Sequence, residues 1–369
     1  MHLLLEFPIF KHLKSLREYD EPIYDLGSSN ISPNWGDLIS SSLDESFVNR
    51  GDPEGEEGLR LWLSDHYGVE PDRVLLTNGT SEANTLAFLS TVDRGEKVLV
   101  EKPVYAPLVE LPRAMGCDIS YVKRRPDAYD IDIGELEEKL SRGVDLLVIQ
   151  NPNNPSGRAL FDSQQRSLAS LVCDFDIPVL VDEVYRDFTL QESNDHGLEP
   201  AMPSFADYHH KAIITSSVTK VYGASGLMSG WMIGPRRIIN HARKIKRMMV
   251  PMVSHLGNGV ALEMLRRREM VLPYEFRTLR DKQMLVSKWA AGRSDVNWSE
   301  PDGCAIGFLR YDHDIPSTEM AKTLYEEYGV RVLPGDLFHM ERGIRIGMGK
   351  DYEEIKGGLT GIDRLLDSL

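Results

Sequence analysis

Cysteine is scarce in this sequence. Of 369 residues only Cys117, Cys173 and Cys304 are cysteines. They are far apart and odd in number, so no paired spacing points to zinc or to a disulfide framework, and a reduced cytoplasm fits best. Long apolar runs are missing too. Nothing approaches the ~18 uncharged apolar residues of a membrane span, and no membrane partner is expected. The opening MHLLLEFPIF carries Glu6 and Pro8 and lacks the basic start, long apolar run and cleavage site of a signal peptide. Nor is there a cationic excess: 42 Lys and Arg against 57 Asp and Glu give a net charge of −15. Such a surface repels nucleic acid and anionic membrane. No internal repeat or low-complexity tract interrupts the chain.

The length suits one large and one smaller domain. We assign residues 28–272 to the first, and residues 1–27 with 273–369 to the second. Through the middle, short apolar runs alternate with helical patterns. Val74–Thr77, Val98–Glu101, Asp145–Gln150, Val179–Asp182 and Ala212–Ser216 read as buried strands, being short, β-branched and bounded by Gly, Pro or charge. Ile133–Ser141 and Asp162–Asp174 read as amphipathic helices, with Asp162 as the N-cap of the second. Such alternation predicts an α/β fold, a mostly parallel sheet covered on both faces. From about Pro251 the pattern changes to a long helical region, Leu262–Lys288, followed by strand-like pieces at Ala305–Arg310, Val330–Leu333 and Gly343–Gly347. That is the pattern of a smaller α+β unit.

Ligands of such sheets sit beyond the carboxyl ends of the strands, and the unusual polar segments fall there. Asn78-Gly-Thr-Ser81 follows one strand and opens a helix. Gly79 permits close backbone approach, while Thr80 and Ser81 offer hydroxyls and amides where anions are favoured; a plain helix cap has the same composition. Asn151-Pro-Asn-Asn-Pro-Ser-Gly157 makes a rigid loop able to fix an Asn side chain in space. Asp182 of Asp182-Glu-Val-Tyr185 emerges from an almost wholly apolar strand and needs a partner, either a cationic heterocycle or a structural ion pair. Lys220 of Ser217-Val-Thr-Lys220 lies among small residues including Gly223, Gly226 and Gly230. Desolvation there lowers an amine's pKa and makes it a nucleophile for Schiff-base formation. His209 and His210, adjacent after a polar loop, read as solvated, and no metal is expected. The Met-rich stretch Met248–Met252 reads as core or subunit interface.

The ordered set NGTSEA, KPVYAP, NPNNPSG, VDEVY, SVTKVYGASG and GIRIG, spanning roughly residues 50 to 350, resembles the fold-type I, class I/II aminotransferases. The resemblance implies pyridoxal 5′-phosphate as cofactor, a seven-stranded-type sheet in a cofactor-binding domain, and a homodimer with shared active sites. It implies that Lys220 holds the cofactor and shuttles the Cα proton, and that Asp182 pairs with the pyridinium nitrogen. Tyr185 and Asn154 would bond the cofactor's phenolic oxygen, and Tyr105 would stack on its ring. Gly79, Thr80, Ser81 and Ser217 would receive the phosphate. Arg345, with Asn154 and Gly27, would take the substrate carboxylate. The implied reaction moves an amino group between an L-amino acid and a 2-oxo acid. The same scaffold also runs β-elimination or cyclisation. A non-catalytic regulator is a remote third reading, since the segment before Tyr24 leaves no room for a DNA-binding domain and the acidity argues against DNA.

Two positions depart from the family. The Arg usually found eight residues after the lysine is Met228, and the Tyr usually five residues before the Gly of Gly55-Glu-Glu-Gly-Leu-Arg60 is Arg50. Loss and gain of a guanidinium at two phosphate-facing positions suggest that Arg50 of the neighbouring subunit replaces the missing charge; a phosphate held by fewer contacts is the other reading. On the first, Arg50→Ala weakens cofactor affinity. An unchanged dissociation constant, measured by fluorescence titration of cofactor-free protein, removes the idea.

Overall fold

The computed structural model describes residues 21–36, 52–125, 128–192 and 198–369. Arg50 lies outside them. β1 (Val74–Asn78), β2 (Lys97–Lys102), β3 (Asp118–Lys123), β4 (Leu146–Gln150), β5 (Val179–Asp182), β6 (Ala212–Ser217) and β7 (Ser229–Ile233) form one seven-stranded sheet, in the order β1-β7-β6-β5-β4-β2-β3. Only β7 runs against the rest. The five apolar runs are all strands. β3, an edge strand with a half-exposed pattern, and β7, within a glycine-rich run, carry weaker signals.

Alternation along each strand explains the two-sided core. Leu76, Leu99, Leu147, Val181 and Ile214 pack into one apolar cluster. Their neighbours Leu75, Val98, Leu146, Leu180 and Ile213 pack into another. Helices α1 (Glu57–His66), α2 (Gly79–Thr91), α3 (Pro107–Met115), α4 (Ile133–Ser141), α5 (Asp162–Asp174) and α6 (Arg236–Met249) accompany this sheet. Beyond them come α7 (His255–Arg266), α8 (Arg268–Ala291), α9 (Ser317–Tyr328) and α10 (Tyr352–Leu366). A second, antiparallel sheet holds β8 (Val296–Ser299), β9 (Ile306–Tyr311), β10 (Leu333–Pro334) and β11 (Ile344–Gly347), in the order β8-β9-β11-β10. Tyr24–Asp25 pairs with Val330–Arg331, so the described N-terminal segment joins this second unit.

Three local expectations change, and a fourth, core or subunit interface for Met248–Met252, is narrowed. Phe161, not Asp162, is the N-cap of α5: its extended backbone precedes the first turn and its N–H bonds Gln164 Oε1 at 3.0 Å, while Asp162 accepts from Arg166 Nε at 2.9 Å. The helical region 262–288 is two helices, interrupted at Arg267 (φ −108°, ψ 12°). His209 is buried, its ring held by the carbonyl of Ile177. Met248, Met249 and Met252 are exposed and contribute nothing to the core of this chain.

One buried ion pair sets the geometry beside β4. Glu101 and Arg124 are both fully buried, with Nε–Oε2 at 2.7 Å. The other oxygen of Glu101 accepts from the Gln150 N–H (2.7 Å) and from Asn153 Nδ2 (2.9 Å). Arg124 in turn donates to the carbonyls of Tyr129 and Gln150. The pair thereby pins the turn that follows β4. Burial pushes the Glu101 carboxyl up, against the pull of Arg124. Arg124→Met leaves a buried carboxylate unpaired and is expected to lower unfolding free energy by about 3–5 kcal/mol. Denaturant titration of cofactor-free protein measures this; a loss below about 1 kcal/mol, the level of an exposed pair, contradicts the assignment.

Candidate active site

The carboxyl ends of β1, β4, β5 and β6 bring the polar segments to one depression, faced by β11 and by the segment 26–36. Lys220 follows β6 by three residues. The residue as a whole is partly exposed, but its amine lies deep: Nζ donates to Ser29 Oγ at 3.0 Å, and burial, helped by the nearby Arg345, pushes its pKa down to about 8. Asp182 ends β5 and is 2 % exposed. Oδ2 accepts from Asn84 Nδ2 and Oδ1 from the Val184 N–H, both at 3.1 Å. Asn84 is itself oriented by the Thr215 hydroxyl at 2.6 Å. Burial raises Asp182 to about 6, with Asn84, Val184 and Lys220 opposing it. Asp182 therefore remains mostly ionised at neutral pH.

The loop 151–157 divides its asparagines by task. Asn151 Oδ1 accepts from the Leu160 N–H (2.7 Å), and Asn153 is held by Glu101, Pro103 and Ser156. Only Asn154 turns to the depression, where it accepts from Arg345 at 3.1 Å. Arg345 is 4 % exposed; its other amino group donates to the Gly27 carbonyl at 2.7 Å, and its Nε finds no partner. Asp25, the nearby acid, pairs instead with Arg331 at 2.7 Å. Among the described residues no carboxylate pairs with Arg345. A buried guanidinium without a counter-ion is costly, so the geometry calls for an anionic ligand and excludes the surface ion pair that an isolated Arg suggests. Tyr185 is buried, bonds to Ser29 and rises to about 12. Tyr105 is half-buried, tethered through its N–H to Gln150, and lies within the field of both Asp182 and Arg345.

An anion cradle lies at the start of α2. Thr80 Oγ1 bonds Ser217 Oγ at 2.8 Å, and Ser217 Oγ meets Thr219 Oγ1 at 2.8 Å. Three hydroxyls thus converge beside the free amides of a helix N-terminus. Gly79 has φ +78°, and a side chain there would enter open space bounded by Met228 Cε at 3.9 Å. Gly230 is required for a different reason: a Cβ would fall 2.6 Å from the Gly79 carbonyl carbon, so its absence lets β7 lie against the cradle. The Ser81 side chain is exposed. Met228 itself is 52 % exposed and left-handed at φ +49°. The donor set fits a phosphate, an aldehyde taken by the Lys220 amine, and a ring nitrogen facing Asp182, which together describe pyridoxal phosphate.

Sequence reasoning passed over Ser29, Asn84, Thr215 and Thr219. Thr219 had a signal, hydroxyls at i and i+2 before the lysine. The others meet their partners across 191, 98 and 131 residues, which no local pattern reveals.

The chain is similar to several known proteins. The profile described as aminotransferase class I and II matches residues 23–362. Capreomycidine synthase of Streptomyces vinaceus is 27 % identical over 332 residues, covering 89 % of this chain and 84 % of that protein. An aspartate aminotransferase of Pyrococcus horikoshii is 25 % identical over 338 residues, covering 88 % and 85 %. A PLP-dependent aminotransferase structure from Streptococcus suis superposes with a TM-score of 0.86 at 22 % identity, covering 99 % of each chain. The PLP-dependent cyclase OrfR does so with a TM-score of 0.86 at 23 % identity, covering 100 % and 99 %.

The amine attacks an aldehyde only when neutral. With Lys220 pushed down to about 8, the rate at which cofactor-free protein captures pyridoxal phosphate rises with pH and levels off above about 8. A rate that keeps climbing towards the pKa of a free lysine, ~10.4, contradicts the desolvated amine.

Proposed function

This chain belongs to the class I and II aminotransferases, which use pyridoxal phosphate, and from that premise we propose which of its residues carry the transfer of an amino group between an L-amino acid and a 2-oxo acid. The observation that carries the reading is Arg345, buried, without a carboxylate partner and held by Asn154 and Gly27. Its orientation is prepaid, so a substrate carboxylate gains a bidentate ion pair and loses no side-chain ordering.

When bound, the cofactor supplies an electron-accepting ring conjugated to the carbon that takes the amino group. The protein supplies the rest. Lys220 would hold the cofactor through its amine and, once freed by an incoming amino acid, would be placed to accept the Cα proton. It has the right pKa for this: near 8, a useful fraction is neutral at physiological pH and its conjugate acid still returns the proton. Asp182, fixed by Asn84 and Val184, would pair with the ring nitrogen and favour its protonated form. Tyr185 and Asn154 would bond the phenolic oxygen, and Tyr105 would lie against the ring. Thr80, Ser217 and Thr219, with the amides of Gly79 to Ser81, would hold the phosphate; the proposal that Arg50 of a second subunit replaces the charge missing at Met228 falls on a residue outside those described. Ser29, bonded to both Lys220 and Tyr185, keeps the free amine in line. We assign residues 28–272 to the cofactor domain and residues 1–27 with 273–369 to the smaller one, an assignment supported for its described part by the pairing of Tyr24–Asp25 with Val330–Arg331. The homodimer is supported by the exposed apolar run Met248, Met249, Val250, Met252 and Leu256. Free Cys117, Cys173 and Cys304 suit the cytoplasm, where the enzyme would serve amino acid metabolism.

A second reading has specific support. Met228 removes a phosphate-facing guanidinium, and the 27 %-identical relative is named capreomycidine synthase. Cyclisation or β-elimination would use the same Lys220 and Asp182 with a different fate for the Cα carbanion. An amino acid added alone separates the readings. Transamination converts the bound cofactor stoichiometrically to its amine form with one equivalent of 2-oxo acid. Catalytic release of ammonia with pyruvate, or of a cyclic product without oxo acid, overturns it.

Arg345→Lys loses the bidentate fork, and kcat/KM for α-amino acids is expected to fall about 10- to 100-fold, the equivalent of one or two charge-assisted hydrogen bonds. The slow reaction of an amine lacking the carboxylate should be unchanged. An equal fall for both substrates contradicts the assigned contact.

A further inference from the structure

We propose that Cys173, His209 and His210 form a zinc-binding site at the edge of the sheet opposite the active site. Among the described residues these three make the one group of three potential ligands drawn from His, Cys, Asp and Glu whose donor atoms all lie within 4.8 Å of one another. The geometry goes beyond proximity. The carbonyl of Ile177 can only accept, so the 2.8 Å contact at His209 Nε2 places the ring hydrogen there. In the neutral ring this leaves Nδ1 with its lone pair, and Nδ1 lies 3.2 Å from Cys173 Sγ. A histidine that donates one ring N–H to a backbone carbonyl while presenting the other nitrogen is the arrangement of metal-ligating imidazoles. The ring is further fixed by burial and by Phe205, at a centroid distance of 6.2 Å.

Cys173 lies in the last turn of α5 and His209 and His210 just before β6, so an ion here would clip a helix to a strand. Cys173 and His210 are exposed, giving an entry path and an open fourth position for water. Zinc bonds of about 2.0–2.3 Å in a tetrahedron want donor atoms some 3.3–3.8 Å apart; the thiol and His209, at 3.2 Å, need to part by only a few tenths of an ångström, and the exposed His210 ring, within 4.8 Å of both, has to turn inward. One thiolate with two imidazoles favours zinc over magnesium or calcium. The local cation Lys211 is paired with Asp176 at 2.6 Å, which lessens its repulsion of an incoming ion. Binding converts the Cys173 thiol to thiolate and releases one proton; no electron moves. The six residues of β6 separate this site from Ser217 by about 20 Å at ~3.3 Å per residue, so it is distinct from the cofactor site.

The test uses the full chain loaded with cofactor, purified without a histidine tag and stripped with chelator. Cobalt(II) is titrated as the probe, followed by zinc. The expected result is one cobalt per chain with a thiolate-to-cobalt absorption band that zinc abolishes, and a melting temperature raised by zinc. Cys173→Ser removes the band, and His210→Ala weakens binding at least tenfold; both side chains are exposed, so both variants fold, and aminotransferase turnover is unchanged. No cobalt bound, a band that survives Cys173→Ser, or a zinc-induced rise in melting temperature equal in all three proteins overturns the proposal.

Discussion

Two cationic side chains, Lys220 and Arg345, share one buried depression with the carboxylate of Asp182. Arg345 is close enough to Lys220 to disfavour its charge, and Asp182 is the acid that, among the described residues, opposes this. Without ligands this is an unfavourable collection of charges, since a buried cation without a partner loses far more hydration than the interior returns. It persists because the surrounding structure over-determines it. Arg345 is gripped by Asn154 and Gly27, Asp182 by Asn84 and Val184, and Lys220 by Ser29. On the proposed reading, a phosphate in the hydroxyl cradle and a carboxylate on Arg345 would restore the balance, and their binding energy would be available at the reacting carbon.

The scaffold earns this through layers of support. The hydrophobic sheet fixes where β4, β5 and β6 end. The Glu101–Arg124 pair then fixes the turn after β4, Asn153 fixes the loop, and only the last link, Asn154, reaches the site. Rigid placement of a guanidinium by a neutral amide and a carbonyl leaves its full charge for the substrate. The N-terminal segment performs a similar service from the other side: Gly27 meets Arg345, Ser29 meets Lys220, and the Ile31 N–H bonds the Lys220 carbonyl at 3.3 Å.

Much of this was legible in the sequence. Buried strands betray themselves by runs of β-branched residues, so β1, β2, β4, β5 and β6 were readable, and the polar segments after them located the depression. β3 and β7 were not, because an edge strand lacks the two-sided apolar pattern and a glycine-rich strand lacks β-branched residues. The helix over residues 262–288 conceals its break because Arg266, Arg267 and Arg268 carry no Gly or Pro to mark it. Asp162 resembles an N-cap by composition, yet the helix starts one residue earlier. Ser29, Asn84 and Thr215 act through partners on other elements, and His209 looked solvated because burial by the tertiary fold leaves no trace in the residues beside it. The roles proposed for Asp182, Tyr185 and Arg345 come from the motif order, whereas only the fold reveals that, among the described residues, no carboxylate pairs with Arg345.

The central claim is that the Lys220 amine, and no other, carries the cofactor. Borohydride reduction of the protein with pyridoxal phosphate bound, followed by proteolysis and mass spectrometry, tests it most directly. The account predicts one modified peptide, bearing the reduced cofactor on Lys220. Label on a different lysine, or protein that stays colourless and unlabelled with the vitamer supplied, contradicts it.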